Sequence, residues 1–234
     1  WIGLRKIQHY IMNNLIKRRH TKKILVGSVP VGNGAPISVQ SMTKTFTEDI
    51  AATVRQIRAL EAAGCQIVRV AVPNEAAAHA LKQIKKRINI PLVADIHFNY
   101  RYALIAAEAG VDKLRINPGN IGNKARIKEV VNAAKEHGIP IRIGVNSGSI
   151  EKHLLQKYGV TPKAMVESAL THVRILEDLN FKDIIISMKG TSVPMTIEAY
   201  RLLAKKVNYA FHIGITEAGI PQFGIVKSAV GLGI

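Results

Sequence analysis

Lys113-Leu114-Arg115-Ile116-Asn117-Pro118-Gly119-Asn120 is the stretch from which the rest of the chain can be read. Leu114 and Ile116 predict a short strand, and Pro118-Gly119 predicts the turn that ends it. Side chains alternate along a strand, so Arg115 and Asn117 share one face, opposite Leu114 and Ile116. A guanidinium and an amide at a strand's C-terminal end are poor core material and good ligands for phosphate oxygens. The arrangement recurs. Arg69 sits in Ile67-Val68-Arg69-Val70, and Arg142 in Ile141-Arg142-Ile143-Gly144-Val145-Asn146. Three arginines at equivalent strand positions predict one basic, anion-binding mouth.

Outward from that stretch, strand-like and helix-like segments alternate. Ile24-Leu25-Val26 and Val29-Pro30-Val31 around Gly27-Ser28 predict a small hairpin. Strands follow at Ile37–Met42, Ile67–Val72, Pro91–Phe98, Lys113–Ile116, Pro140–Val145, Asp183–Ser187 and Ala210–Ile215. Between them lie helices, such as the one after Thr47-Glu48-Asp49 with Ile50, Val54 and Ile57 on its apolar side, and those at Asn74–Lys86, Tyr100–Ala109 and Lys124–Gly138. Ile150–Tyr158, Pro162–Leu179 capped by Thr161, and Pro194–Val207 complete the helices. A weak repeat accompanies the alternation, since Gly64 leads five residues on to Arg69 and Gly110 leads five residues on to Arg115. Continuous apolar strands separated by helices mean a parallel sheet. No Gly-rich dinucleotide turn follows the first strand, and polar residues recur at the C-terminal end of every strand. That pattern suits a closed barrel, whose sites draw on many strand ends. The predicted fold is α/β, a TIM-type (β/α)8 barrel, incomplete at about seven strands, with a short N-terminal hairpin. By domain, residues 1–22 read as a basic leader and 23–234 as the barrel. Met12 opens a segment with the character of a start, so 1–11 read as non-native.

At 234 residues and 47% hydrophobic, the chain can bury a sizeable core, and 5% aromatic residues point to Ile, Val, Leu and Ala as its substance. No apolar run of 18 residues predicts a transmembrane helix. The net charge of +17 divides unevenly. Residues 1–47 carry eight basic residues and no acid, which leaves 25 minus 16, or +9, for the remainder. A nucleic-acid face would show a basic stripe interleaved with aromatics, and none is present. Solvated surface plus an anionic small-molecule site is the better account. A single cysteine, Cys65, excludes an internal disulfide and predicts a reducing, cytoplasmic setting.

The strand ends supply the candidates for chemistry: Thr43 and Lys44, Arg69, Asp95 and His97, Arg115 with Asn117 and Asn120, Arg142 with Asn146 and Ser149, Ser187 and Lys189, Thr216 and Glu217. Each has a plain alternative. Asp95 can serve as the partner of one arginine. Asp95-Ile96-His97 can be a metal pair or an oriented histidine. Lys189 before Gly190 can be solvated, and Glu217 can cap a helix. Jointly the alternatives fail, because seven strand ends would have to place polar groups at one rim with five cations among them. Binding of a phosphate-bearing ligand accounts for that set physically.

Five ordered segments carry a resemblance: Ser38-Val39-Gln40-Ser41-Met42-Thr43, Ala94-Asp95-Ile96-His97-Phe98, Leu114 to Asn120, Arg142 to Ser149, and Gly214-Ile215-Thr216-Glu217-Ala218-Gly219. In this order they are similar to the 4-hydroxy-3-methylbut-2-enyl diphosphate synthases, the iron–sulfur enzymes of the methylerythritol phosphate route to isoprenoids. The resemblance implies a barrel that binds 2-C-methyl-D-erythritol 2,4-cyclodiphosphate, with Arg69, Arg115, Arg142, Lys189 and Asn146 on the diphosphate and Glu217 as the acid–base residue. Asn117, Thr216, Asp95 and His97 complete the expected substrate-binding set. It also implies a [4Fe–4S] cluster in a C-terminal domain, flavodoxin or ferredoxin as electron donor, and a homodimer, with no role for nucleic acid or membrane. One cysteine cannot hold a cubane. The sequence therefore reads as the substrate-binding part of such an enzyme, ending before an eighth strand and the cluster domain, and inactive alone.

Overall fold

Caps and glycines set the rhythm of the chain. In the computed structural model, which describes residues 18–234, Asn74, Asn99, Asn123, Thr161 and Ser192 each accept a hydrogen bond from a first-turn N–H of the helix that follows. Gly64 and Gly110 take the left-handed conformation just past helix ends, at φ +94° and +82°. The elements in order are β1 (Ile24–Val26), β2 (Val29–Val31), β3 (Gln40–Met42), α1 (Ile50–Ala62), β4 (Ile67–Ala71), α2 (Glu75–Lys85), β5 (Leu92–Asp95), α3 (Tyr100–Glu108) and β6 (Lys113–Ile116). Then come α4 (Pro118–Ile121), α5 (Lys124–Glu136), β7 (Ile141–Asn146), α6 (Lys152–Tyr158), α7 (Pro162–Asp178), β8 (Ile184–Lys189), α8 (Val193–Ala204), β9 (Ala210–Phe211) and α9 (Pro221–Gly233).

β1 and β2 form the expected antiparallel hairpin. The other seven strands form one parallel sheet in which spatial order equals chain order, β3 to β9. A doubly wound sheet would reverse direction at a switch point. Unbroken sequential order is that of a barrel wall. One face of each strand, with Val68, Leu114, Ile143 and Ile186 among its residues, packs against the helices in the main core. The other face looks into the barrel. There Ile67, Val93 and Ile185, near the strand starts, meet Ile24 and Val26 of the hairpin in a separate apolar cluster. The hairpin thus closes the barrel's floor. Just before it, the Arg19 guanidinium donates to the carbonyls of Val207 and Tyr209 and stacks 4.1 Å from the Phe211 ring. Lys22 N–H donates to Asn208 O at 2.8 Å.

Several expected boundaries move. The first barrel strand begins at Gln40 rather than Ile37; Ile37 and Val39 are 75% and 57% exposed, and Val39 bonds only to the start of the neighbouring segment, its carbonyl accepting from Gln66 and Ile67 N–H and its N–H donating to Gln66 Oε1. The third runs Leu92–Asp95 instead of Pro91–Phe98, and the last contains only Ala210 and Phe211. β9 is an edge of the sheet, and the carbonyl of His212 turns to the Tyr200 hydroxyl, which donates to it at 2.6 Å. Pro118-Gly119 opens a turn of helix rather than a simple turn, and α6 starts at Lys152, after a 3-10 turn over Ser147–Ser149. The reading of residues 1–11 as non-native lies outside the described residues.

Candidate anion-binding site

The inward parity of the strands decides which side chains meet. On β5 and β6, Asp95 pairs in register with Arg115, which pairs with Arg142 on β7. Asp95 is buried and gathers three donors: Arg115 Nη1 at 3.0 Å, Arg69 Nε at 3.5 Å and His97 Nε2 at 3.4 Å. Burial alone would raise its pKa, but the His97 hydrogen bond and the charges of Arg115 and Arg69 outweigh it and hold the carboxyl at about 2. Asp95 is therefore a carboxylate, and the partner reading of Asp95 is correct for both Arg69 and Arg115.

One carboxylate does not satisfy what surrounds it. Arg142 is 1% exposed; its Nη1 donates to Ser187 Oγ at 2.8 Å, and its Nε has no partner. Arg115 Nε is likewise buried without a partner. Arg69 directs Nε and Nη2 at the Met42 thioether, 3.1 and 2.9 Å away, and a thioether is a weak acceptor. Burial, then the charges of Arg69 and Arg115, lower Arg142 to about 9. Burial, then Arg142, Arg69 and Arg115, lower Lys189 to about 8. Buried Lys113 joins them from the start of β6. Among the described residues, Asp95 is the single carboxylate that any of these five basic groups touches.

Two glycines make room for the cluster. A Cβ on Gly144 would stand 2.7 Å from Arg115 Nε, and one on Gly214 would stand 3.2 Å from Lys189 Nζ. Bare backbone at those positions lets the cations lie across neighbouring strands. Asn146 closes β7 opposite Lys189 in register.

The remaining expected residues stand apart from these contacts. Asn117 is buried, and its side-chain oxygen caps α4 by accepting from Gly119 N–H at 3.1 Å. Thr216 N–H donates to Gly190 O at 3.3 Å, tying the loop after β9 to the end of β8. Glu217 is exposed in that loop with φ +50°. It makes no hydrogen bond or ion pair with the cluster.

Two residues escaped the sequence reading. Lys113 has the parity of Arg115, a signal that was present. His212, just past β9, is pushed far down by burial and by the charges of Arg142, Lys189, Lys113 and Arg69, and so is uncharged. Nothing in its local sequence marks it.

An iron–sulfur cluster does not fit these residues. Cys65 is the only cysteine. It is buried in the loop entering β4, at the floor end, with Sγ 3.0 Å from Ile67 O. Among the described residues no three His, Cys, Asp or Glu side chains converge on a metal position.

Fold and site together define a TIM-type α/β barrel with a cationic mouth. Residues 21–234 match the family model described as the GcpE TIM-barrel domain. The chain belongs to that family. It is 60% identical over 217 residues to the 4-hydroxy-3-methylbut-2-en-1-yl diphosphate synthase (flavodoxin) of Caldanaerobacter subterraneus subsp. tengcongensis, a match covering 92% of this chain and 61% of the relative. It is also 60% identical over 220 residues to the protein of that name from Symbiobacterium thermophilum, covering 94% and 60%. The chain thus spans about three fifths of the length of these curated relatives. Among solved structures, Yersinia pestis dihydropteroate synthase superposes with a TM-score of 0.63 at 10% identity, covering 91% of this chain and 86% of that one. The 3-dehydroquinate dehydratase of Geobacillus kaustophilus superposes with 0.62 at 13%, covering 89% and 81%. At such identities these two share the fold alone.

Proposed function

We propose that this barrel binds 2-C-methyl-D-erythritol 2,4-cyclodiphosphate and serves its reductive ring opening and dehydration to 4-hydroxy-3-methylbut-2-enyl diphosphate in isoprenoid biosynthesis. The observation that carries the reading is the charge imbalance inside the barrel, five basic groups against one carboxylate, with buried guanidinium N–H groups left unpaired. Such an interior is stable only marginally until an anion with several oxygens fills it. A cyclic diphosphate supplies those oxygens, and relatives at 60% identity carry the name of the enzyme that makes the linear product.

In this reading Arg69, Arg115, Arg142 and Lys189 hold the diphosphate, Asn146 and Thr216 add hydrogen bonds, and Asn117 sets the turn beside them. Asp95, oriented with His97, keeps Arg69 and Arg115 aimed. Glu217 moves a proton at the mouth, where its loop reaches the end of β8. Binding fixes the ring and polarises its phosphate bridge, and the electrons come from outside these residues. We assign the [4Fe–4S] cluster to the part of the longer relatives that this chain does not span, flavodoxin or ferredoxin to its reduction, and a homodimer in the cytoplasm to the complete protein. Among the described residues no helix is long and apolar enough to cross a membrane.

Calorimetry of the chain with the cyclodiphosphate tests the binding step. We expect one site per chain that weakens steeply with salt. Failure to bind, beside a control synthase that does, would overturn the reading. In an anaerobic assay with reduced flavodoxin, the 234-residue chain should form no linear diphosphate. A longer form carrying its cluster should turn over, and lose turnover but not binding on Glu217→Gln.

A further inference from the structure

Lys113 opens β6 at the floor end of the barrel yet is only 2% exposed. Its Nζ has one acceptor, Gln40 Oε1 at 3.0 Å, and that bond crosses the barrel interior, since β3 and β6 stand three places apart in the sheet. Register explains why no carboxylate is nearer. Arg115, one pleat repeat or about 6.6 Å further along the strand, stands beside Asp95. Lys113 stands beside Val93, which belongs to the apolar floor. On the other side β6 meets β7 first through Pro140, whose carbonyl accepts from Leu114 N–H.

Arg142 from β7 and Arg69 from β4 act on this amine, His212 beyond β9 feels its charge, and Arg115 from its own strand, Asp95 from β5 and Lys189 from β8 share the inward parity of the strands. Four are cations, one is a carboxylate already shared by two arginines, and His212 is uncharged. Burial first, then the charges of Arg142 and Arg69, set Lys113 well below the ordinary lysine range. A neutral amine held by a neutral amide is the arrangement such surroundings favour.

We propose that Lys113 is a proton-uptake site coupled to anion binding: when a phosphate-class anion enters the mouth, the Lys113 amine takes a proton from solvent and becomes an ammonium. The anion offsets the charges of Arg69 and Arg142 that oppose protonation. The proton comes from water or buffer and adds to the Nζ lone pair, and no other bond changes. The barrel thereby raises its positive charge only when there is negative charge to meet it. This rests on the anion-site reading above and gives Lys113 a positioning role beneath the ligand rather than contact with it.

Inorganic sulfate is the probe, because its own protonation does not change between pH 6 and 9. Lightly buffered protein at pH 7.5 is mixed with sulfate beside an indicator dye. The parent chain should take up protons, Lys189→Met somewhat fewer, and Lys113→Met about one fewer per chain than the parent. Equal uptake by Lys113→Met and the parent overturns the proposal. Should Lys113→Met fail to fold, lysine side-chain NMR of the unmutated chain decides. Two lysines should show uncharged signals at pH 9, and both should move to ammonium positions with sulfate, Lys189→Met identifying one of them. Movement of the Lys189 signal alone overturns the proposal while the anion site stands. No sulfate binding at all would remove the anion site and this inference with it.

Discussion

Arg115 is the residue whose replacement is the sharpest probe of the mouth. Its Nη1 is committed to Asp95, while Nε is buried and unpaired, so a ligand oxygen gains a donor whose desolvation is already complete. Arg115→Met should weaken cyclodiphosphate binding by about 1.5–3 kcal/mol, roughly tenfold to a hundredfold, as a lost charge-assisted hydrogen bond does. Affinity equal to the parent in calorimetry would refute the assignment. The same crowding of cations makes stability depend on pH. Lys189 and Arg142 are held down to about 8 and about 9 in the folded barrel, so the unfolded chain binds more protons above pH 8. Stability of the ligand-free protein should therefore rise with pH from about 8 to about 10, while below pH 8 the cost of the buried charges is present in full. Tyr200 and Tyr209, pushed up by burial, oppose the trend above that window. A melting temperature that stays flat or falls between pH 8 and 10 would contradict the cation cluster. The three arginines were legible because each interrupts a short apolar strand at one parity. Lys113 shares that parity, but its burial was not legible, because a lysine at a strand's start normally reaches solvent. Only the sealed floor below it and Gln40 across the barrel reveal it as buried.

At the scale of elements, the hairpin β1–β2 contributes to stability without touching the mouth. Ile24 is 3% exposed against Ile67, Val93 and Ile185. Ile24→Ala should cost about 2–5 kcal/mol and leave the affinity of the folded protein for anions unchanged. Denaturant melts and calorimetry on one preparation read both, and an affinity loss matching the stability loss would mean that the floor shapes the site. Helices were the best-read elements, since Asp49, Asn74 and Thr161 stand as caps where the apolar period begins. Strand ends were read less well. Ile37 and Val39 are as apolar as any core residue, but pairing belongs to a strand and its neighbour together. The sequence of one segment does not show where its partner stops.

For the whole molecule, the ends of the sheet matter most. Among the described residues β3 and β9 each have one neighbour in the sheet, and α9 leaves Phe223, Ile225 and Val226 between 63% and 72% exposed. Open strand edges and exposed apolar helix surface favour association. The 234-residue chain should therefore self-associate at micromolar concentration. A strictly monomeric species with a single cooperative melt, by light scattering and calorimetry, would contradict this. The barrel class was legible from alternation and from polar strand ends, whereas the sealing of its floor depends on contacts between distant segments that no local pattern announces.

Those distant contacts bear on the order in which the molecule assembles. Arg19 and the carbonyl of Tyr209 that it binds lie 190 positions apart, and the hairpin's floor partners span Ile67 to Ile185. As the chain leaves the ribosome, β1 and β2 emerge first, yet their docking surface is incomplete until β8 has been synthesised and paired. Loop closure over such a span is slow. Strands made before the rest of the barrel are therefore among the last to be buried, and until β8 is made the nascent chain holds an apolar hairpin open to chaperones. In pulse-labelled hydrogen exchange during refolding, β1 and β2 should gain protection after β4 to β7.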